Sequence, residues 1–113
     1  MIAVILLDAD DAIAADAERA LRALAARPGY LRGSAGPSVD DPDSWVLATE
    51  WRGIGDYRRA LGSFDVKMHA TVLLARARDA PSTFEQLVSV DPDGTVRHAS
   101  TDRSADPWPP EAN

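Results

Sequence analysis

The apolar run IAVILL, residues 2–7, is the feature that most constrains how this chain can fold. It is continuous, rich in β-branched residues, and followed at once by the polar sequence DADD. Such a run predicts a strand that is buried on both faces. It is far too short to span a bilayer, and it lacks the basic start and cleavage region of a signal peptide. We therefore expect a cytoplasmic protein whose first strand needs cover on both sides.

A helix is predicted directly after this strand. The carboxylate of Asp10 or Asp11 can accept the free N–H groups of a first helical turn. Pro28 and Gly29 should end the helix, because proline lacks the N–H and glycine accepts left-handed geometry. The residues that recur at helical spacing, and so form the buried stripe, are Ile13, Ala17, Ala20, Leu21 and Leu24.

A β-hairpin is predicted next. Residues 30–39 form a weak strand, in which Gly33 and Gly36 suggest a bulge or a close backbone approach. The turn sequence DDPDS, residues 40–44, leads into the strand WVLATEW, residues 45–51. Strand alternation places one set of side chains on one face and the other set on the opposite face. The first set is Trp45, Leu47, Thr49 and Trp51, and the second is Val46, Ala48 and Glu50.

The second half of the chain is less regular. A helix is predicted over residues 54–63. Residues 64–77 alternate like a strand but also carry a helical stripe and good helix formers, so a short helix or an irregular helix pair is favoured. Residues 83–90 read as a strand and residues 95–99 as a last short strand.

The order β-α-β-β-α-β is the ferredoxin-like pattern, an α+β fold with a four-stranded antiparallel sheet and helices on one face. Gly94, in the turn DPDG, is expected to have a positive φ. We expect one such domain over residues 1–99 and a loose, proline-rich tail over residues 100–113. A second copy of the sheet is the simplest cover for the other face, which predicts a homodimer.

Composition excludes several classes of protein and site. The 18 acidic and 12 basic residues give a net charge of −6, which argues against nucleic-acid binding. The chain has no cysteine, so disulfides and thiolate metal sites are not available. Asp40, Asp41 and Asp43 match a calcium loop only in number, so a solvated turn is the better interpretation. No nucleotide-binding glycine fingerprint and no pair of metal-binding histidines occurs.

From about residue 1 to residue 90, the chain resembles the antibiotic biosynthesis monooxygenase family of dimeric α/β barrels. The run E-W-x-x-x-x-x-Y-x-x-A-L-x-S, with a histidine a few residues later, carries most of the resemblance. The matching elements are Pro28-Gly29, Glu50-Trp51, Ala60-Leu61, Ser63 and His69.

This resemblance implies a dimer with a ligand cavity between the sheet of each subunit and its helices. Family members that oxidise aromatic polyketides use neither metal nor flavin, so no cofactor is expected. The substrate, deprotonated to a phenolate or an enolate, would itself pass an electron to oxygen. The protein would then bind a flat ring, favour deprotonation and exclude water.

Three residues are the candidates for these roles. His69 is the candidate base, since an unperturbed histidine pKa near 6.5 suits proton transfer at neutral pH. Tyr57 is a candidate catalytic and ligand-binding residue, and Trp51 a candidate ligand contact. Core packing for Trp51 and Tyr57, and an exposed position for His69, are the structural alternatives. Glu50 is expected to be architectural, and if its face is the one covered by the helices, an arginine such as Arg58 or a backbone N–H would serve as its partner.

Two other functions are compatible with a fold of this kind. A haem-degrading branch of the superfamily uses an Asn on the first strand, a Trp in the second helix and a His just after it. Here the first strand has no Asn, Ala60 takes the place of the Trp, and only His69 matches, so haem degradation is disfavoured. The alternative is a non-catalytic small-ligand-binding or stress-associated dimer. The only Asn of the chain is Asn113, in the predicted tail, so no Asn is available for an Asn-dependent mechanism. This and the lack of a clear acid–base pair favour that alternative.

Overall fold

The computed structural model describes residues 1–100. The predicted tail over residues 100–113 therefore lies outside the described residues, apart from Ser100. Nine helices and strands follow one another in this part of the chain. They are β1 Ile2–Asp8, α1 Ile13–Ala25, β2 Tyr30–Pro37, β3 Ser44–Trp51, α2 Ile54–Gly62, α3 Phe64–Leu74, β4 Thr83–Phe84, β5 Val88–Val90 and β6 Val96–His98.

The main sheet has four antiparallel strands in the order β2-β3-β1-β4. The predicted α+β, ferredoxin-like fold is confirmed. The helical interpretation of residues 64–77 is also confirmed, since α3 spans most of that segment. Helices α2 and α3 together occupy the place of the single second helix of the pattern, and β5 and β6 add a separate two-stranded sheet.

The hydrophobic core lies between one face of the sheet and the helices. Leu47, Thr49 and Trp51 of β3 are buried, and so are Ala3 and Leu7 of β1. The predicted alternation along β3 is therefore confirmed, because these residues share the face covered by the helices. The helices bury Ile13, Asp16, Ala17, Ala20, Leu24, Tyr57, Ala60, Val66, Ala70 and Leu73 against them.

The prediction that β1 is buried on both faces is wrong for the single chain. Its second face is only half-buried at Ile2 and Val4, and Leu6 is 43% exposed. The reason is that the helices cover one side of the sheet only. We call the uncovered side the open face. By the strand register, its side chains are those of Ile2, Val4, Leu6, Val46, Ala48, Glu50, Arg32, Ser34 and Phe84.

The single strand predicted over residues 83–90 is also wrong. The segment divides into β4, which pairs with β1, and β5, which pairs with β6. Between them, the Gln86 side chain accepts a hydrogen bond from the Met1 amine at 2.7 Å. It donates to Glu50 at 3.3 Å. These contacts hold the chain at the edge of the sheet while the following residues leave it.

The ends of the elements follow the predicted chemistry in part. Gly29, after α1, has φ 88°, and Gly94 has φ 89°, as expected for glycines in left-handed turns. Asp10 accepts a hydrogen bond from the Ala12 N–H at 3.0 Å. However, Ala12 is the N-cap of α1 and no side chain caps this helix, so the expected carboxylate cap is wrong.

Asp16 is buried in the apolar stripe of α1 because it has a cationic partner. Arg76, just after α3, donates to Asp16 at 2.8 Å and to Asp10 at 2.8 Å. The same guanidinium donates to the carbonyl of Val72 at 3.3 Å. Its hydrogen bond to Asp10 lowers the pKa of that carboxyl. Arg76 therefore connects the start of α1 to the end of α3.

Gly33 lies where β2 passes close to its neighbours. A Cβ at this position would lie 2.5 Å from Tyr30 Oη, 2.9 Å from Thr49 Cγ2 and 3.0 Å from Leu21 Cδ2. The register of β2 against β3 also shifts between Tyr30 and Arg32. The close approach suggested by the sequence is present at Gly33 but not at Gly36, and the irregularity in register lies before Gly33 rather than at either glycine.

We expect Gly33→Ala to lower the free energy of unfolding by about 1–3 kcal/mol, since the added methyl group overpacks a filled space. Gly36→Ala is the matched control on the same strand, because its Cβ would meet nothing within 4 Å. The control should stay within about 0.5 kcal/mol of the parent protein. Urea denaturation of the three proteins measures the difference. Equal stabilities for the two variants would contradict the close approach at Gly33.

Candidate functional site

Trp51 ends β3 and is 1% exposed. Its indole N–H donates to Thr49 Oγ1 at 2.9 Å. The Tyr30 ring meets it edge to face at a centroid distance of 5.3 Å, and the Tyr57 ring is tilted against it at 5.5 Å. Aromatic pairs at such distances add to the energy of burial. Trp51, at the end of β3, thus packs against both the first residue of β2 and helix α2.

Tyr57 lies on the buried face of α2 and is 5% exposed. Burial raises the pKa of its phenol above the ordinary value of 10.0. At neutral pH the side chain is therefore a neutral phenol, which can donate a proton in a hydrogen bond but is a poor base. Tyr57 and Trp51 are the two predicted site residues that the structure brings into contact.

His69 lies on α3 and is exposed to solvent. Its neighbours on the buried face of that helix are Val66, Ala70 and Leu73. Within residues 1–100, no hydrogen bond or ion pair to its imidazole is present. The structure therefore does not place His69 in the interior that Trp51 and Tyr57 share.

Glu50 lies on the open face and forms an ion pair with Arg32 of β2. It also accepts the hydrogen bond from Gln86. Arg58 would be a partner only on the helix-covered face, and the Glu50 side chain points away from the helices. Glu50 connects β2, β3 and the segment after β4, which agrees with its expected architectural role.

A cavity of about 540 Å³ lies at the junction of β3 and α2. On one side the chain contributes the β3–α2 connection and the first turns of α2. On the other side it contributes β4 and the residues after it. The lining residues that carry chemistry or a large apolar surface are Arg52, Ile54, Arg58, Phe84, Glu85 and Leu87.

The cavity has more positive than negative charge. Arg52 and Arg58 line it, and neither has an ion-pair partner among residues 1–100. Glu85 is the acidic residue in the lining. Arg59, one position further along α2, is instead paired with Asp56 at 2.8 Å. Two guanidinium groups without an ion-pair partner in the described part of the chain, beside apolar side chains, suit an anionic ligand with an apolar body.

Sequence reasoning missed this cavity. Arg52 and Arg58 belong to the same strand-to-helix stretch as Trp51 and Tyr57, and their charge was a usable signal. The opposite wall was not visible, because Phe84 reaches the junction only through the pairing of β4 with β1. Such a pairing is a tertiary contact that local periodicity does not reveal.

Metal and membrane sites are not evident in the described part of the chain. Over residues 1–100, no group of three or more His, Asp or Glu side chains is arranged to hold a metal ion. In the same range, none of the helices combines the length and the apolar character needed to cross a membrane.

No family profile matches this sequence, and no curated protein sequence matches it either. Solved structures do match. A single-residue mutant of SnoaB, a cofactor-independent oxygenase from Streptomyces nogalater, is 26% identical to the chain and covers 68% of it. The chain covers 82% of that mutant, with a TM-score of 0.60. The resemblance to the antibiotic biosynthesis monooxygenase family is confirmed.

Other structures that carry the name antibiotic biosynthesis monooxygenase share the fold at lower identity. One from Deinococcus radiodurans is 19% identical, with a TM-score of 0.60 over 74% of this chain and 89% of its own. Another, from Nitrosomonas europaea, is 14% identical, with a TM-score of 0.57 over 87% of this chain and 96% of its own. At these identities the likeness shows the fold alone.

The raised pKa of Tyr57 predicts a simple titration. Neither tyrosine of the chain should ionise below pH 10, since burial raises the pKa of Tyr30 as well. Because the folded-state pKa of Tyr57 is raised, its contribution to stability is fully present below the unfolded value near 10 and is lost as the pH rises through the folded value. Absorbance at 295 nm during titration of the native protein and of Tyr57→Phe measures this. A tyrosine that ionises near neutral pH and disappears in the variant would contradict it.

Proposed function

We propose that this protein is a cofactor-independent monooxygenase, or a related isomerase or cyclase, that acts on a small aromatic or polyketide-like compound in the cytoplasm. The observation that carries the proposal is the fold shared with the SnoaB mutant, at 26% identity and a TM-score of 0.60. SnoaB is named a cofactor-independent oxygenase. The cavity at the β3–α2 junction has the size of a small-molecule site, since 540 Å³ lies within the usual range of about 300–1,000 Å³, but Trp51, Tyr57 and His69 do not line it.

In the proposed reaction the substrate supplies the electrons. Deprotonation to a phenolate or an enolate lets it pass one electron to oxygen, and the protein contributes binding, proton transfer and exclusion of water. His69 is the proposed base, and Trp51 and Tyr57 the proposed ring contacts. Because the Tyr57 phenol stays neutral, its role would be to donate a hydrogen bond to the developing oxyanion rather than to take the proton.

The alternative is a non-catalytic dimer that binds a small ligand. One observation favours it specifically: Trp51 and Tyr57 pack against each other in the core, while His69 is exposed. In that arrangement the three candidates do not surround a common space. A binding protein needs only the cavity at the junction, whereas an oxygenase also needs a group that moves a proton.

We also propose that the open face is covered by the same face of a second copy. A groove of about 390 Å³ crosses this face and is lined by Ile2, Val4, Ala48 and the Arg32–Glu50 pair, with other residues of β1, β2 and β3. Leu6, 43% exposed, extends the apolar area, whereas Phe84, at the edge of the sheet, lines the cavity at the β3–α2 junction. An uncovered apolar sheet face of this kind is typical of an interface.

A charge on the open face should separate the two copies. We expect Leu6→Glu to convert a dimer into a monomer, because it would place two carboxylates in a buried interface. Val39→Glu is the matched control, since Val39 is 98% exposed and lies in the turn between β2 and β3. Sedimentation velocity of both variants and the parent measures the change. A dimer that withstands Leu6→Glu would remove the open face as the interface.

Oxygen consumption tests the proposed activity. With a panel of hydroquinones and anthrones and no added cofactor, we expect uptake well above the rate without protein. His69→Ala should lower the rate by about 10²-fold or more if His69 takes the proton. His98→Ala is the control histidine variant, since His98 is exposed on β6. Uptake by the parent with unchanged turnover in His69→Ala would exclude His69 as the base, and no uptake with any compound would favour the binding alternative.

A further inference from the structure

We propose that the cavity at the β3–α2 junction binds a flat aromatic carboxylate, with Arg52 and Arg58 holding the carboxylate and Ile54 and Phe84 packing against the ring. As a statement about substrate class, this rests on the proposed oxygenase function. As a statement about binding, it also holds for the non-catalytic alternative. The inference starts from the two guanidinium groups that line one cavity.

The shape of the site follows from the position of α2. Ile54 and Arg58 are four residues apart, so their side chains lie on the same side of the helix and both line the cavity. Arg52 immediately precedes that helix and lines the same cavity. Phe84, on β4, forms the facing wall and is 44% exposed, so its ring is accessible to a ligand.

The ion pairs of the chain single out these two arginines. Seven of the ten arginines in residues 1–100 have a carboxylate partner, and Arg27, Arg52 and Arg58 do not. Two of these three line the same cavity, in a chain with a net charge of −6. Glu85 offsets part of their charge, and Met1, which bears the N-terminal amine, also lines the cavity.

A carboxylate on an aromatic ring matches this lining better than a neutral ring or a compact anion. A guanidinium binds a carboxylate through two parallel N–H···O bonds, and a second guanidinium can take the remaining lone pairs. An aromatic ring gains from contact with Phe84 and Ile54, which a compact inorganic anion cannot use. Gln86 also lines the cavity, but its amide is engaged by the Met1 amine and Glu50.

Binding of 2-naphthoate and of 2-naphthamide, measured by isothermal titration calorimetry, tests the proposal. The two probes have nearly the same size and ring and differ in charge. We expect the full-length protein to bind 2-naphthoate at least about tenfold more tightly than 2-naphthamide. The difference should shrink as salt is raised, because exposed guanidinium groups are screened.

Arg52→Gln and Arg58→Gln should each weaken 2-naphthoate binding by about five- to tenfold and leave 2-naphthamide binding unchanged. Arg59→Gln is the matched control, because it removes the same charge from the same helix but from a residue paired with Asp56. Circular dichroism establishes that each variant is folded. Equal binding of the two probes, equal weakening by Arg59→Gln, or no binding of either probe by the folded protein would each overturn the proposal.

The outcomes for binding and for catalysis separate cleanly. If 2-naphthoate binds as expected but no aromatic compound supports oxygen uptake, the oxygenase function fails and the anion site stands. If oxygen uptake occurs equally with carboxylated and neutral substrates, and Arg52→Gln and Arg58→Gln leave KM unchanged for both, the oxygenase function stands and the anion site fails.

Discussion

The packing of Trp51 is the interaction on which the rest of the described structure depends. Its indole is almost fully buried, it is hydrogen-bonded to Thr49, and it contacts the rings of Tyr30 and Tyr57. Each contact comes from a different element, so one side chain fixes the end of β3, the start of β2 and the position of α2. The β3–α2 junction, and therefore the cavity beside it, has its shape because Trp51 is held from three directions.

The Arg76 cluster plays a comparable part at the other end of the helical layer. Asp16 occupies a position in the stripe of α1 where an unpaired carboxylate would be costly. Arg76 makes that position tolerable by bridging Asp16 and Asp10. The ion pairs of Arg76 thus link α1 to the end of α3 where the other contacts between the two helices are mainly apolar. Removing one partner of such a buried pair is more harmful than replacing both.

Local sequence patterns predicted the positions of helices and strands better than they predicted which strands and side chains pair with one another. The alternation in β3 identified the buried face, and Pro28-Gly29 identified the end of α1, because both depend on neighbours in sequence. The division of residues 83–90 and the Arg32–Glu50 pair depend on which strands lie side by side, and periodicity carries no such information. Trp51 and Tyr57 were recognised as a related pair. The cavity was not recognised, because one side of its wall consists of β4 and the residues that follow it.

Energetics favour the junction over the interior as the place for the proposed ligand. A ligand between Trp51 and Tyr57 would have to separate two rings whose contact contributes about 0.5–1.5 kcal/mol beyond their burial. It would also expose side chains that are 1% and 5% accessible. The cavity beside Arg52 and Arg58 is open without any such rearrangement. Tyr57 does not line this cavity, although Ile54 and Arg58 of the same helix do, so a ligand bound there contacts Tyr57 only if the side chains of α2 rearrange.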